Sequence, residues 1–102
     1  MDCDFFEDHL RLNRNARERE PIIGRLRRIE GQVRGLIQMV ENDRHCLEEV
    51  QQANAISAAT REVALLLLAE HLQAGVDYAM RCGMPEPVRQ EVIGVMRAAM
   101  RL

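Results

Sequence analysis

The longest uninterrupted stretch of this chain constrains it most. From about His45 to about Met80 there is no Pro, and Gly75 is the only Gly. Good helix formers such as Ala, Leu, Glu and Gln dominate the stretch. It predicts a single helix about 50 Å long at about 1.5 Å per residue. A chain of 102 residues has too little left to cover the apolar side of such a helix. Oligomerisation is therefore expected, as in antiparallel helix bundles.

The flanks supply shorter partners. Ile22, Leu26, Ile29, Val33, Leu36 and Val40 recur at alternating three- and four-residue spacing. They predict an amphipathic helix of about 20 residues with a heptad-like seam. Pro21 stands where a first helical turn accepts it. "ENDRH" (41–45) is a polar turn in which Asn42 or Asp43 can cap the helix that follows. "CGMPEP" (82–87) ends the long helix, because Gly83 suits a C-terminal stop and Pro85 and Pro87 block continuation. A last helix, about Glu86–Arg101, places Val88, Val92, Val95, Met96 and Ala99 on one side. Residues 1–20 mix acids and arginines with few apolar side chains, which predicts a flexible or weakly helical arm ahead of a helical domain over 21–102. The expected class is all-α. The expected core is aliphatic, since 47% of the residues are hydrophobic and only 3% aromatic.

A net charge of −2 does not by itself point to nucleic acid, but every one of the 14 basic residues is Arg. Arginine suits bidentate contact with phosphate or carboxylate, although codon bias alone can also produce it. "MDCDFFEDHL" is acidic where a secretory leader would be basic, and "VALLLLA" (63–69) is far short of the roughly 20 residues of a membrane span. A cytoplasmic protein is expected. Its three widely spaced cysteines suggest free thiols or metal ligands rather than a disulfide frame.

Two candidates for thiol or soft-metal chemistry lie on the long helix, Cys46 near its start and His71 near its end. On one straight helix they are about 38 Å apart and cannot share a ligand. If two copies of the helix pack antiparallel, Cys46 of one lies beside His71 of the other. The crossing point then falls between Ala58 and Ala59, inside "AISAAT" (55–60), whose small residues permit close approach. The competing reading is an ordinary buried thiol and an ordinary helical histidine.

At "RLRRIEGQVRGLIQMVENDRHC" (25–46) and "LLLLAEHLQAGV" (65–76) the sequence resembles the CsoR/RcnR/FrmR family of bacterial repressors, which sense copper, nickel and cobalt, or formaldehyde. The resemblance covers about residues 21–100. It implies a three-helix protomer, an antiparallel four-helix-bundle dimer and a dimer of dimers. It also implies a repressor that binds operator DNA and lets go when an inducer is bound. Arg25, Arg28 and Arg61 match the basic positions that would contact DNA, with Arg27 and Arg34 adding to the field. Without the resemblance, these arginines read as a solvated face.

By the same resemblance Cys46 matches the family's thiolate and His71 its helix histidine. The copper sensors carry a further Cys, and the nickel sensors a His, where this chain has Gly75. The inducer is therefore open. Cys3 or His9 can complete a site from the N-terminal arm, His45 can contribute, or Cys46 can react directly with an electrophile such as formaldehyde. His45 and Glu91 occupy positions that couple the site to the scaffold in the copper sensors. Cu(I) is the first candidate because it tolerates few ligands and favours sulfur. Ni(II) and Co(II) are alternatives, and Cys82 is read as an incidental thiol. Two other classes compete. One is a helical oligomerisation module without DNA binding. The other is a thiol enzyme on Cys46, for which the sequence offers no orienting Asp or Asn at an obvious spacing and no Gly-rich oxyanion loop.

Overall fold

The computed structural model describes residues 2–7 and 9–101. Two strands, β1 (Asp2–Phe6) and β2 (His9–Asn13), precede three helices, α1 (Ala16–Glu41), α2 (Cys46–Cys82) and α3 (Glu86–Met100). The three-helix expectation holds, and the all-α expectation is corrected to a mostly helical chain with an N-terminal hairpin.

Residues expected as an arm thus pair as antiparallel strands, with Cys3 opposite Leu12 and Phe5 opposite Leu10. Alternation explains this. Cys3, Phe5, Leu10 and Leu12 share one face of the hairpin, and Cys3 and Leu10 are buried. The other face is polar, with Arg11 bridging Asp4 at 3.1 Å and lying over the Phe6 ring. Glu7 takes a positive φ of 47° in the turn.

The first helix starts five residues before Pro21. Asn15 caps it, its Oδ1 accepting the Glu18 N–H at 2.8 Å. The helix therefore carries Pro21 in its interior, without the one backbone hydrogen bond that Pro21 cannot donate. The helix closes on Asp43, whose φ of 51° lets Arg44 N–H reach the Met39 carbonyl at 2.9 Å. Asn42 and Asp43 therefore finish α1 rather than start α2. The start of α2 is held by His45, whose Nδ1 accepts the Leu47 N–H at 3.2 Å.

Gly83, at φ 83°, ends α2 with its N–H on the Ala79 carbonyl, and Pro85 starts α3. In the first turn of α3, the Gln90 amide and then Arg89 hold the Glu86 carboxyl below the ordinary glutamate range.

The chain divides into two compact units. One holds residues 1–19 and 64–102, the other Glu20–Val63. In the first, the hairpin lies against α3 and the second half of α2, and Leu10, His71, Ala74 and Val88 are buried. The second is an antiparallel helix pair made of most of α1 and the first part of α2. No described residue of α1 is buried, and Leu26, Val33, Ile37 and Val40 of its seam are exposed. No described helix is long and apolar enough to cross a membrane.

Candidate functional site

His71 is the one buried polar or charged residue among those described, 8% exposed. Its Nε2 lies 2.8 Å from Glu91 Oε2 on α3. A carboxylate can only accept, so Nε2 carries the proton and donates it. In the neutral ring Nδ1 is then left as a free lone-pair donor, the form in which imidazole binds metals. Leu12, Leu67, Leu68, Val95 and Ala98 line a cavity of ≈ 380 Å³ beside the ring. The surroundings are thus apolar, with the Glu91 carboxylate behind the imidazole.

The hairpin is fastened along the same stretch of α2. Arg14 Nε donates to Glu70 Oε2 at 3.1 Å. The Cys3 thiol donates to the Ala74 carbonyl at 3.3 Å. Arg81 Nη2 donates to the Cys3 carbonyl at 3.1 Å and approaches its sulfur at 3.4 Å. Phe5 tilts against Tyr78 with ring centres 6.4 Å apart. A Cβ at Gly75 would sit 3.1 Å from Val92 Cγ2 and 3.7 Å from Leu10 Cδ1. The absent side chain is what allows α3 to approach α2 this closely, with the hairpin at ordinary contact distance.

His9 is exposed in the hairpin, its Nδ1 3.1 Å from the Glu7 carbonyl oxygen. In the other unit, Cys46 is an exposed thiol at the first residue of α2, next to the capping His45. Arg25 and Arg28 line a cavity of ≈ 360 Å³ with Ile29, Gln32, Ala58 and Ala59. Both are exposed. Arg61 is exposed on the same stretch of α2, and Arg34 pairs loosely with Glu30 at 3.5 Å. Cys82 is an exposed thiol at the end of α2.

The structure therefore joins Glu91 to His71 within one chain, and places Cys3 on the hairpin face that packs on α2. Among the described residues, no three of His, Cys, Asp and Glu gather into a metal-holding group. The pairing of His71 with Glu91, and the roles of Arg14 and Arg81, escaped sequence reasoning. They join side chains 20, 56 and 78 positions apart on different elements. The cap at Asn15 was legible as an N-x-x-E signal, Asn15 to Glu18.

Residues 18–100 match the model of the family described as metal-sensitive transcriptional repressor. The chain belongs to this family. It is 42% identical over 91 residues to the copper-sensing transcriptional repressor CsoR of Bacillus subtilis, covering 88% of this chain and 90% of that protein. It is 49% identical over 61 residues to the copper-sensing transcriptional repressor RicR of Mycobacterium tuberculosis, covering 60% and 64%. Its fold is similar to the Cu(I)-bound copper-sensing repressor CsoR of Geobacillus thermodenitrificans, with a TM-score of 0.76, 41% identity, and coverage of 86% and 92%. It is also similar to the nickel-responsive regulator InrS, with a TM-score of 0.74, 28% identity, and coverage of 89% and 99%. Membership makes this chain a transcriptional repressor rather than a thiol enzyme. Both strands of the hairpin precede the matched residues.

Proposed function

We propose that this chain is a Cu(I)-responsive repressor of the cytoplasm. It binds operator DNA when inducer-free and releases it when Cu(I) is held between His71 of one copy and Cys46 of another. The observation that carries this reading is the buried His71, oriented by Glu91 with Nδ1 left over. A thiolate and a neutral imidazole form a soft donor set that suits Cu(I). Ni(II) and Co(II) suit the site less, because the ring of His9 faces its own turn and His45 caps α2. When bound, the metal supplies a bond that ties the two ligands together. Glu91 holds the His71 ring in place and fixes its tautomer. Leu12, Leu67, Leu68 and Val95 give the ring apolar neighbours.

Two copies are needed because no three donors gather within one chain among the described residues. An antiparallel crossing at Ala58 and Ala59 provides the pairing, and a dimer of dimers provides a partner for the exposed seam of α1. Fully burying each of Leu26, Val33, Ile37 and Val40 adds about 1.5–3 kcal/mol. Arg25, Arg28 and Arg61 contact operator phosphates in this reading. Among the described residues, none of the three has an ion-pair partner that would compete.

The test is an anaerobic Cu(I) titration against a competing chelator, followed by release of labelled operator DNA, on wild type and Cys46→Ser. The expected result is about one Cu(I) per protomer at sub-picomolar affinity, about −16 kcal/mol, with DNA release in wild type only. Failure of wild type to outcompete the chelator refutes copper sensing and moves the work to electrophiles acting on the exposed Cys46 thiol.

A further inference from the structure

The buried thiol of Cys3 lies against the Ala74 carbonyl, three residues along α2 from His71. It is 8% exposed, although it belongs to a short two-stranded hairpin near the start of the chain. We infer that Cys3 is the third ligand of the proposed site, delivered by the hairpin to the part of α2 where Gly75 presents no side chain. This rests on the Cu(I)-responsive reading above and names the donor that reading leaves open.

Three independent placements carry it. First, strand pairing puts Cys3 directly opposite Leu12, so the two side chains share a face of the hairpin. Leu12 lines the same cavity wall as His71. Second, the Cys3 sulfur is anchored on α2 itself, at the Ala74 carbonyl. Ala74 is three residues from His71, so both lie on one side of the helix. Third, Gly75 faces both α3 and the hairpin. A Cβ would stand 3.1 Å from Val92 Cγ2 and 3.7 Å from Leu10 Cδ1. A donor side chain on α2 at this position would press on Val92 of α3 and extend towards the hairpin at Leu10. The glycine and the thiol-bearing hairpin are two halves of one arrangement.

The chemistry suits the exchange. A thiol is a weak hydrogen-bond donor, so its contact with the Ala74 carbonyl is readily given up. Ligation breaks the Cys3 S–H bond, passes the proton to solvent and forms a sulfur–metal bond, with no change of oxidation state. Arg81, 3.4 Å from the sulfur, supplies a positive charge beside the resulting thiolate. His9 is not the donor, because its exposed ring is turned to the Glu7 carbonyl.

The experiment compares full-length Cys82→Ser protein, which removes the exposed third thiol, with the same protein carrying Cys3→Ser or Cys46→Ser. X-ray absorption of the Cu(I)-loaded protein counts sulfur neighbours, and chelator competition gives affinity. The Cys82→Ser protein is expected to show two sulfurs. Adding Cys3→Ser is expected to leave one sulfur and weaken binding by at least about 100-fold, more than removal of a group that merely supports a ligand. Serine can still donate to the Ala74 carbonyl, so the hairpin keeps its anchor. An unchanged sulfur count and affinity in Cys3→Ser, with both lost in Cys46→Ser, overturns the inference and leaves copper sensing standing. If the Cys82→Ser protein cannot outcompete the chelator at all, both fall. If Cys3→Ser does not fold, the Cys82→Ser count still decides, since one sulfur overturns the inference and two support it.

Discussion

His71 and Glu91 illustrate how one residue's chemistry depends on another that sequence spacing does not reveal. A buried imidazole needs a partner, and the partner selects which nitrogen remains available. Replacing Glu91 by Ala leaves Nε2–H buried and unpaired, which costs about 1–3 kcal/mol of stability. It also frees the ring to change tautomer and tilt. We expect Glu91→Ala to lower the melting temperature and to weaken Cu(I) binding by about 10–100-fold. Glu91→Gln, which can still accept through its amide oxygen, should fall between that variant and wild type in both respects. Calorimetry and chelator competition on the three proteins check this, and equal affinities would show that Glu91 does not orient His71. Candidate ligands were legible as residue types in the sequence. The role of Glu91 could be expected only through a resemblance, which coupled it with His45; within the protomer its carboxylate is on His71 instead.

At the scale of elements, the hairpin is the departure from expectation. Its strands are five residues each and carry four charged residues or histidines between them, Asp2, Asp4, His9 and Arg11, so composition argued for an arm. What makes it a hairpin is a set of anchors on α2, from Glu70 to Arg81, none of them adjacent to it in sequence. Gly75 tests this directly. Gly75→Val adds methyl groups between Val92 and Leu10, and overpacking of this kind costs about 1–3 kcal/mol. An exposed helical glycine replaced in the same way would instead gain a few tenths to about 1 kcal/mol from propensity. The expected outcome is therefore destabilisation, with faster amide exchange at Leu10 and Leu12 than in wild type. Unchanged exchange in the strands would show that the hairpin does not depend on the space at residue 75. The helices themselves were legible because apolar periodicity, Gly83 and the prolines are local signals. The early start of α1 departs from expectation because Asn15 caps a helix that runs through Pro21.

For the whole molecule, charge and apolar surface carry the argument. A net charge of −2 gives no general attraction to DNA, so binding must come from a local array of arginines. Each phosphate contact releases condensed counterions and adds about 0.9 to the slope of log affinity against log salt. Arg25→Ala, Arg28→Ala and Arg61→Ala should each flatten that slope by about 1, measured by anisotropy of labelled operator DNA between low and physiological salt. Slopes equal to wild type in all three variants would place the DNA contacts elsewhere. The exposed apolar seam of α1 was foreseeable from the length of α2, because a helix of 37 residues outruns the side chains available to cover it. Which arginines stay free of ion pairs was not foreseeable, since that depends on which acids the fold brings within reach.

By itself the sequence determined what local physics controls: three helices, their order and the break at Gly83 to Pro87, the aliphatic composition of the interior, and the residue types able to hold a soft metal or pair with phosphate. Helix propensity, caps and prolines act over a few residues, so they are readable along the chain. Tertiary structure decided what depends on distant segments meeting. It paired His71 with Glu91, folded residues 2–6 and 9–13 into paired strands, seated Leu10 beside Gly75 and buried the Cys3 thiol against Ala74. Those outcomes follow from packing and hydrogen-bond satisfaction between residues up to 78 positions apart, where no periodicity or spacing rule operates.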